Sequence, residues 1–158
     1  RSYIRSGVNE EGSMYLGSVY YGSGKLNHTA LRVSIKDGTY AETTQIPYDG
    51  GQNYRFTDMG NTSEIVTYRG IECEDVVKFI YENQKEQIKA EYMGGKSYVI
   101  YIANGDKLAI ATTFEFGMLL SDLHYMKKEK EKAIKRIEYL KARLEGKKPI
   151  ADTDSIPE

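Results

Sequence analysis

Polar and apolar positions alternate along the first seventy residues, and the period then lengthens. Over residues 13–21, Met14, Leu16 and Tyr20 alternate with Tyr15, Val19 and Tyr21, which predicts a strand usable on both faces. Gly22-Ser23-Gly24 interrupts it. Residues 29–36 alternate more cleanly, with Leu31, Val33 and Ile35 inward and Arg32, Ser34 and Lys36 outward. Asp37-Gly38 follows, and a further run occupies 39–46. Asp-Gly between two alternating runs predicts a tight hairpin turn with positive φ at both central residues. Pro47 and Asp49-Gly50-Gly51 close this region. Short strands are expected at 54–57 and 64–69, separated by a polar turn near Gly60-Asn61.

From Glu72 the spacing becomes helical. Cys73, Val76, Val77, Ile80, Ile88 and Tyr92 fall on one face, with Lys78, Glu82, Lys85, Glu86 and Lys89 mostly opposite. Glu72, Glu74 and Asp75 suit the positive end of a helix dipole. The expectation is a helix of about twenty residues stopped by Gly94-Gly95. Two strands at 97–103 and 107–114, joined by Asn104-Gly105-Asp106, read as a second hairpin. The first of them, with Tyr98, Val99, Ile100, Tyr101 and Ile102, reads as a central strand covered on both faces.

Near Gly117 the pattern predicts a second helix reaching about Glu145. Leu123, Met126, Ala133, Ile137, Leu140 and Leu144 recur in steps of three and four, with Lys130 in one seam position. A helix of roughly 28 residues spans about 42 Å, longer than an ordinary sheet is wide, so one end is expected to protrude. Together these elements predict an α+β fold. Its parts are one mainly antiparallel sheet of six or seven strands, one inserted helix and a long C-terminal helix. Residues 1–146 read as a single domain and 147–158 as a mobile tail.

Composition adds constraints more than it adds identity. The 158 residues, 40% hydrophobic and 28% charged, make one globular domain that needs no covalent staple. No apolar run is long enough to span a membrane. Tyr occurs 14 times and Trp is absent, which suits amphipathic sheet surfaces and disfavours a strongly stacking ligand site. The whole chain is near neutral, but residues 127–148 hold ten Lys/Arg and four Asp/Glu, a net of +6. Glu129, Glu131 and Glu138 interrupt the basic run, and only Tyr139 interleaves an aromatic ring, so nucleic acid is not the expected partner. A solvated face with protein contacts fits better. The chain begins at Arg1 rather than Met, which is compatible with an exported protein that has lost a leader; the residues leave localisation open. Asn27-His28-Thr29 and Asn61-Thr62-Ser63 match a glycosylation pattern common enough to carry no weight.

Candidate chemistry is sparse. Gly94-Gly95-Lys96-Ser97 looks like the end of a phosphate loop but lacks the upstream glycine and is followed by a strand, where phosphate binding needs a helix N-terminus. Gly22-Ser23-Gly24-Lys25 fails likewise. Cys73, the only thiol, sits at a helix start but among Glu72, Glu74 and Asp75, which favour its protonated form. A thiol nucleophile would need His28 or His124 as base, and nothing in the spacing joins them. The two histidines make a poor metal site, and Asp58, Asp106 and Glu115 are carboxylates without a visible partner. No cofactor is implied. The expected function is a non-enzymatic binding or assembly module, contacting a protein partner or a second copy through a sheet face and the last helix. Its interface residues are Lys130, Ile137, Leu140 and Leu144. The alternatives are a small hydrolase using Cys73 or carboxylates, and anionic-polymer binding by helix 127–148.

Overall fold

The computed structural model describes residues 1–146; the segment expected as a tail, 147–158, lies outside the described residues. The described residues form an α+β fold, with eight strands in two antiparallel sheets of four rather than one sheet of six or seven. The strands are β1 (Tyr3–Val8), β2 (Met14–Ser23), β3 (His28–Ser34), β4 (Tyr40–Glu42), β5 (Asn53–Asp58), β6 (Asn61–Arg69), β7 (Lys89–Gly94) and β8 (Tyr98–Tyr101). The helices are α1 (Glu74–Glu82) and α2 (Asn104–Leu144). The first sheet runs β1-β2-β6-β5 and the second β4-β3-β7-β8. Two sheets form because each has its own buried row. Ile4, Leu16, Val66 and Tyr68 from the first, and Leu31, Val33, Ala90 and Tyr92 from the second, meet in one core with Val76, Val77 and Ile80 of α1.

The two turns exchange roles. At Asp37-Gly38 only the glycine takes positive φ, +90°, and the Asp37 carboxylate accepts the Thr39 N–H at 2.8 Å. The flanking pair is Ser34 with Tyr40, so the connection is longer than a two-residue turn, and β4 keeps only three residues. The tight turn with two positive φ values lies instead at Met59 (+45°) and Gly60 (+79°), directly between the paired Asp58 and Asn61.

The expected twenty-residue helix stops at Glu82. The backbone N–H and the side-chain amide of Asn83 both donate to the Phe79 carbonyl, at 3.1 and 2.8 Å, and cap the helix there. Beyond it Ile88, Ala90 and Tyr92 are buried at every second residue, so Ile88 and Tyr92, placed on a helix by their spacing, belong to a period-two run. Asn104-Gly105-Asp106 likewise opens α2 rather than turning a hairpin. The Lys107 N–H donates to the Ala103 carbonyl at 2.9 Å, and Lys107, Ile110, Ala111 and Gly117 share one buried face. A glycine in a first helical turn costs little, and Asp106 there complements the helix dipole. With no strand after it, β8 pairs only with β7 and is an edge strand. Tyr98, Val99 and Tyr101 are exposed, against the expectation of a covered central strand.

The inner part of α2 packs on β1 and α1. Gly117 sits against the β1–β2 turn, where a Cβ would lie 3.2 Å from the Gly12 carbonyl oxygen and from Met14 Cγ. Lys107 is buried, and its ammonium is held by the Glu86 carbonyl at 2.6 Å. At 41 residues and about 60 Å, α2 is far longer than the fold that supports it. Among the described residues, no helix is long and apolar enough to cross a membrane.

Candidate functional site

Between the sheets lies a polar network that no local motif announces. Ser18 comes from β2, Glu64 and Tyr68 from β6, and His28 from the start of β3; Ser18, His28, Glu64 and Tyr68 are completely buried. Strict alternation with Leu31 and Val33 would turn His28 away from the core. A register shift between His28 and Ala30 inserts the extra residue that turns it inward. Asn27 helps by taking a left-handed backbone, φ 56°. Gly94 leaves room for this loop: a Cβ there would run into the backbone of Asn27 and His28.

Glu64 organises the network. Oε1 accepts the N–H groups of Leu26 at 2.7 Å and Asn27 at 2.8 Å, and Oε2 accepts the N–H and ring Nδ1 of His28, both at 3.1 Å. Burial opposes ionisation, but the His28 ring and the three amides outweigh it and hold the carboxyl at about 2. An ionised carboxylate only accepts, so His28 donates from Nδ1. At 2.8 Å from its Nε2 is the Ser18 hydroxyl, which also lies 3.4 Å from the Tyr68 hydroxyl. Burial pushes the Tyr68 phenol up to about 12. Arg55 covers the outer side. Its Nε is 3.6 Å from Glu64 Oε2, its Nη2 donates to the His28 carbonyl, and its guanidinium lies 3.7 Å over the Tyr48 ring.

Hydroxyl, imidazole and carboxylate thus stand in the order of a nucleophile, a base and an orienting group. Catalysis would also need substrate at the hydroxyl and donors aimed at a developing oxyanion. Ser18 lies in mid-strand, opposite Val66, with none of its surface exposed. The two most developed surface clefts among the described residues, one between the β1–β2 turn and α2 and one beside β3 and Gly94-Gly95, are not lined by Ser18, His28 or Glu64. The network joins the sheets through charge-assisted hydrogen bonds.

The residues singled out for chemistry do not converge. Cys73 occupies the N-cap position of α1 without a side-chain bond to the helix, and its thiol donates toward the Tyr68 carbonyl at 3.4 Å. Burial pushes this thiol up to about 11, and Glu72 and Glu74 add to the rise, so it stays protonated at neutral pH. It makes no bond to His28 or His124. Asp106 pairs with Arg1 at 3.6 Å, Glu115 accepts from the Tyr81 hydroxyl at 3.2 Å, and Asp58 stands exposed beside the Met59-Gly60 turn. Among the described residues no three His, Cys, Asp or Glu gather as metal ligands. Gly94 ends β7 and Gly95 leads on to β8, so a strand and not the expected helix precedes this pair, and a strand follows it.

The surface offers more. On the outer face of the first sheet, register places Tyr3, Tyr15, Tyr21, Tyr54 and Phe56 together, all exposed. Beyond Ser121, whose backbone abuts the β1–β2 turn, residues 122–144 of α2 project from the body, about 35 Å of helix. Leu123 and Met126 are exposed there, Ile137 is 51% exposed and Leu144 88%, and Lys130 and Leu140 stand in the same row. The row continues inward through Leu119 and Phe116, on the side of the helix away from the buried Gly117. Lys130, Ile137, Leu140 and Leu144 are therefore brought together on one helix face that the body leaves bare. Comparison with known protein families, with curated proteins and with solved structures finds no match for this chain.

Proposed function

We propose that this protein is a non-enzymatic assembly module in which the two-sheet body carries and aims the outer part of α2 for contact with another helix. One observation carries the reading: an apolar row from Phe116 to Leu144 lies wholly in the open on a helix otherwise rich in charge. An isolated helix gains little stability from propensity alone, and most helices are held by packing of their apolar face. An exposed row of apolar side chains, here broken only by Lys130 and the small Ala133, marks an interaction surface. The Tyr-rich outer face of the first sheet is a second contact surface on the same body. The sealing of Ser18, His28 and Cys73 supports a role without catalysis.

A photo-reactive phenylalanine analogue placed singly at Ile137 and Leu140 of the full chain tests this. Discrete covalent adducts are expected from both, and none from the same group at Lys135 on the opposite face. Equal labelling from all three positions, or none from any, would overturn the reading.

A further inference from the structure

We infer that the partner of the outer α2 helix is a second copy of this chain, docked antiparallel along the same row. The inference rests on the assembly reading above and adds to it the partner and its direction.

Orientation of the row comes first. The residues of α2 buried against the body are Lys107, Ile110, Ala111 and Gly117, with Phe114 packed on the core from the same side. The row of Phe116, Leu119 and Leu123 lies on the other side of the cylinder, so a second helix can lie along it without meeting the sheets. The row keeps steps of three and four as far as Leu144, the spacing of a two-helix seam.

Charge then selects the partner and its direction. The residues just before each of four seam positions are Asp122, Glu129, Arg136 and Arg143. Acid occupies the half of the segment near the body and base the far half. When two copies run antiparallel with Leu123 against the second copy's Leu140, Asp122 faces its Arg143 and Glu129 faces its Arg136. The two-fold axis repeats both pairs, giving four attractive contacts. The opposite flank sets Lys127 beside the second copy's Ile134 and Leu120 beside its Lys141, with no like charges opposed. The middle layers place Met126 on Ile137 and Lys130 on Ala133, whose small side chain leaves room for the lysine stem.

The parallel arrangement keeps one attractive flank contact, Asp122 with the second copy's Lys127, and is worse otherwise. It stacks Lys130 on the second copy's Lys130 in one layer and sets Arg136 against Lys141. Like charges held together in a seam are costly and choose the alternative pairing. Sliding the antiparallel pair by one heptad brings Glu129 against Glu129 and Lys127 against Lys127 in one direction, and Arg136 against Arg136 and Lys127 against Lys141 in the other. One register alone satisfies both the seam and its flanks.

Two measurements on the full chain test this. Met126→Cys and Ile137→Cys are made as separate variants, with Cys73 buried and protonated in both. Mild oxidation of the mixture is expected to link one variant to the other, while each variant alone stays unlinked. Self-linking of each variant alone would show a parallel pair and overturn the inference. In the second measurement, Glu129→Arg or Arg136→Glu alone is expected to weaken dimerisation roughly tenfold, and the two together to restore it. A double variant as weak as the singles would overturn the register. A chain that stays monomeric by light scattering at all concentrations would overturn self-pairing altogether. If Ile137 and Leu140 still gave face-specific adducts of foreign mass, the assembly reading would survive that result.

Discussion

Glu64 accepts two hydrogen bonds from His28 with a single oxygen, one from the backbone and one from the ring. The two residues belong to different sheets, and their contact ties the start of β3 to the middle of β6. A carboxylate removed from water this completely is tolerable only when its lone pairs are filled. Here Leu26 and Asn27 fill the other oxygen. The burial that would otherwise favour the neutral acid is outweighed, and the acid is held ionised.

Acid should therefore loosen the molecule through this residue. The Glu64 carboxyl lies at about 2 when folded, against 4.5 as its ordinary value, so the unfolded chain binds the proton first. The stabilisation is complete above about pH 4.5 and drains away as pH falls toward 2. The shift corresponds to about 3 kcal/mol. Urea unfolding at pH 7 and pH 3 measures it. Glu64→Gln is expected to lose a few kcal/mol at pH 7, about 3 for a broken buried pair, and much of the pH dependence. A variant with an unchanged acid slope would assign that slope elsewhere.

Part of this arrangement was legible in the residues. The α+β class, the strands around Leu16, Leu31 and Val66, and a long C-terminal helix with an apolar row all follow from periodicity, since packing there agrees with local pattern. The failures share a cause. Ile88 and Tyr92 fit both a helical and a strand period, and only the early helix stop at Asn83 decides between them. Asn104-Gly105 opens a helix because tertiary packing of Ile110 and Ala111 outweighs local turn preference. His28 was visible only as an isolated imidazole, because its partner Glu64 is 36 residues away and a bulge turns it inward. No local spacing encodes that meeting.

The junction of α2 with the body gives an asymmetric expectation. Gly12 has φ +87° and a Cβ there would strike the Gly117 carbonyl and Ser121 backbone, so Gly12→Ala meets both backbone strain and a clash. A cost of roughly 1–3 kcal/mol is expected. Gly117→Ala faces contacts of 3.2–3.4 Å, mainly to the Gly12 oxygen, Met14 and Val8, and gains up to about 1 kcal/mol of helix propensity. Its net effect should be small. Thermal unfolding of the two variants separates them, and equal losses would mean that helical glycine 117 is as tightly confined as the turn.

The last expectation concerns Ser18, whose hydroxyl stands where a nucleophile would. Sealed in the core, it should resist a fluorophosphonate that labels accessible activated serines, at any pH where the protein stays folded. Its role is to partner His28 Nε2, and Ser18→Ala would leave that nitrogen buried and unmet. Such a loss costs about 1–3 kcal/mol, whereas Ser18→Thr keeps the hydroxyl and trades that loss for the strain of one added methyl group. Denaturant midpoints of the two variants should therefore differ in cause as well as size, with alanine also changing the His28 ring resonances. Stoichiometric labelling of Ser18 in the folded chain would show that the sheets open to admit a substrate, and the network would then have to be read as chemistry.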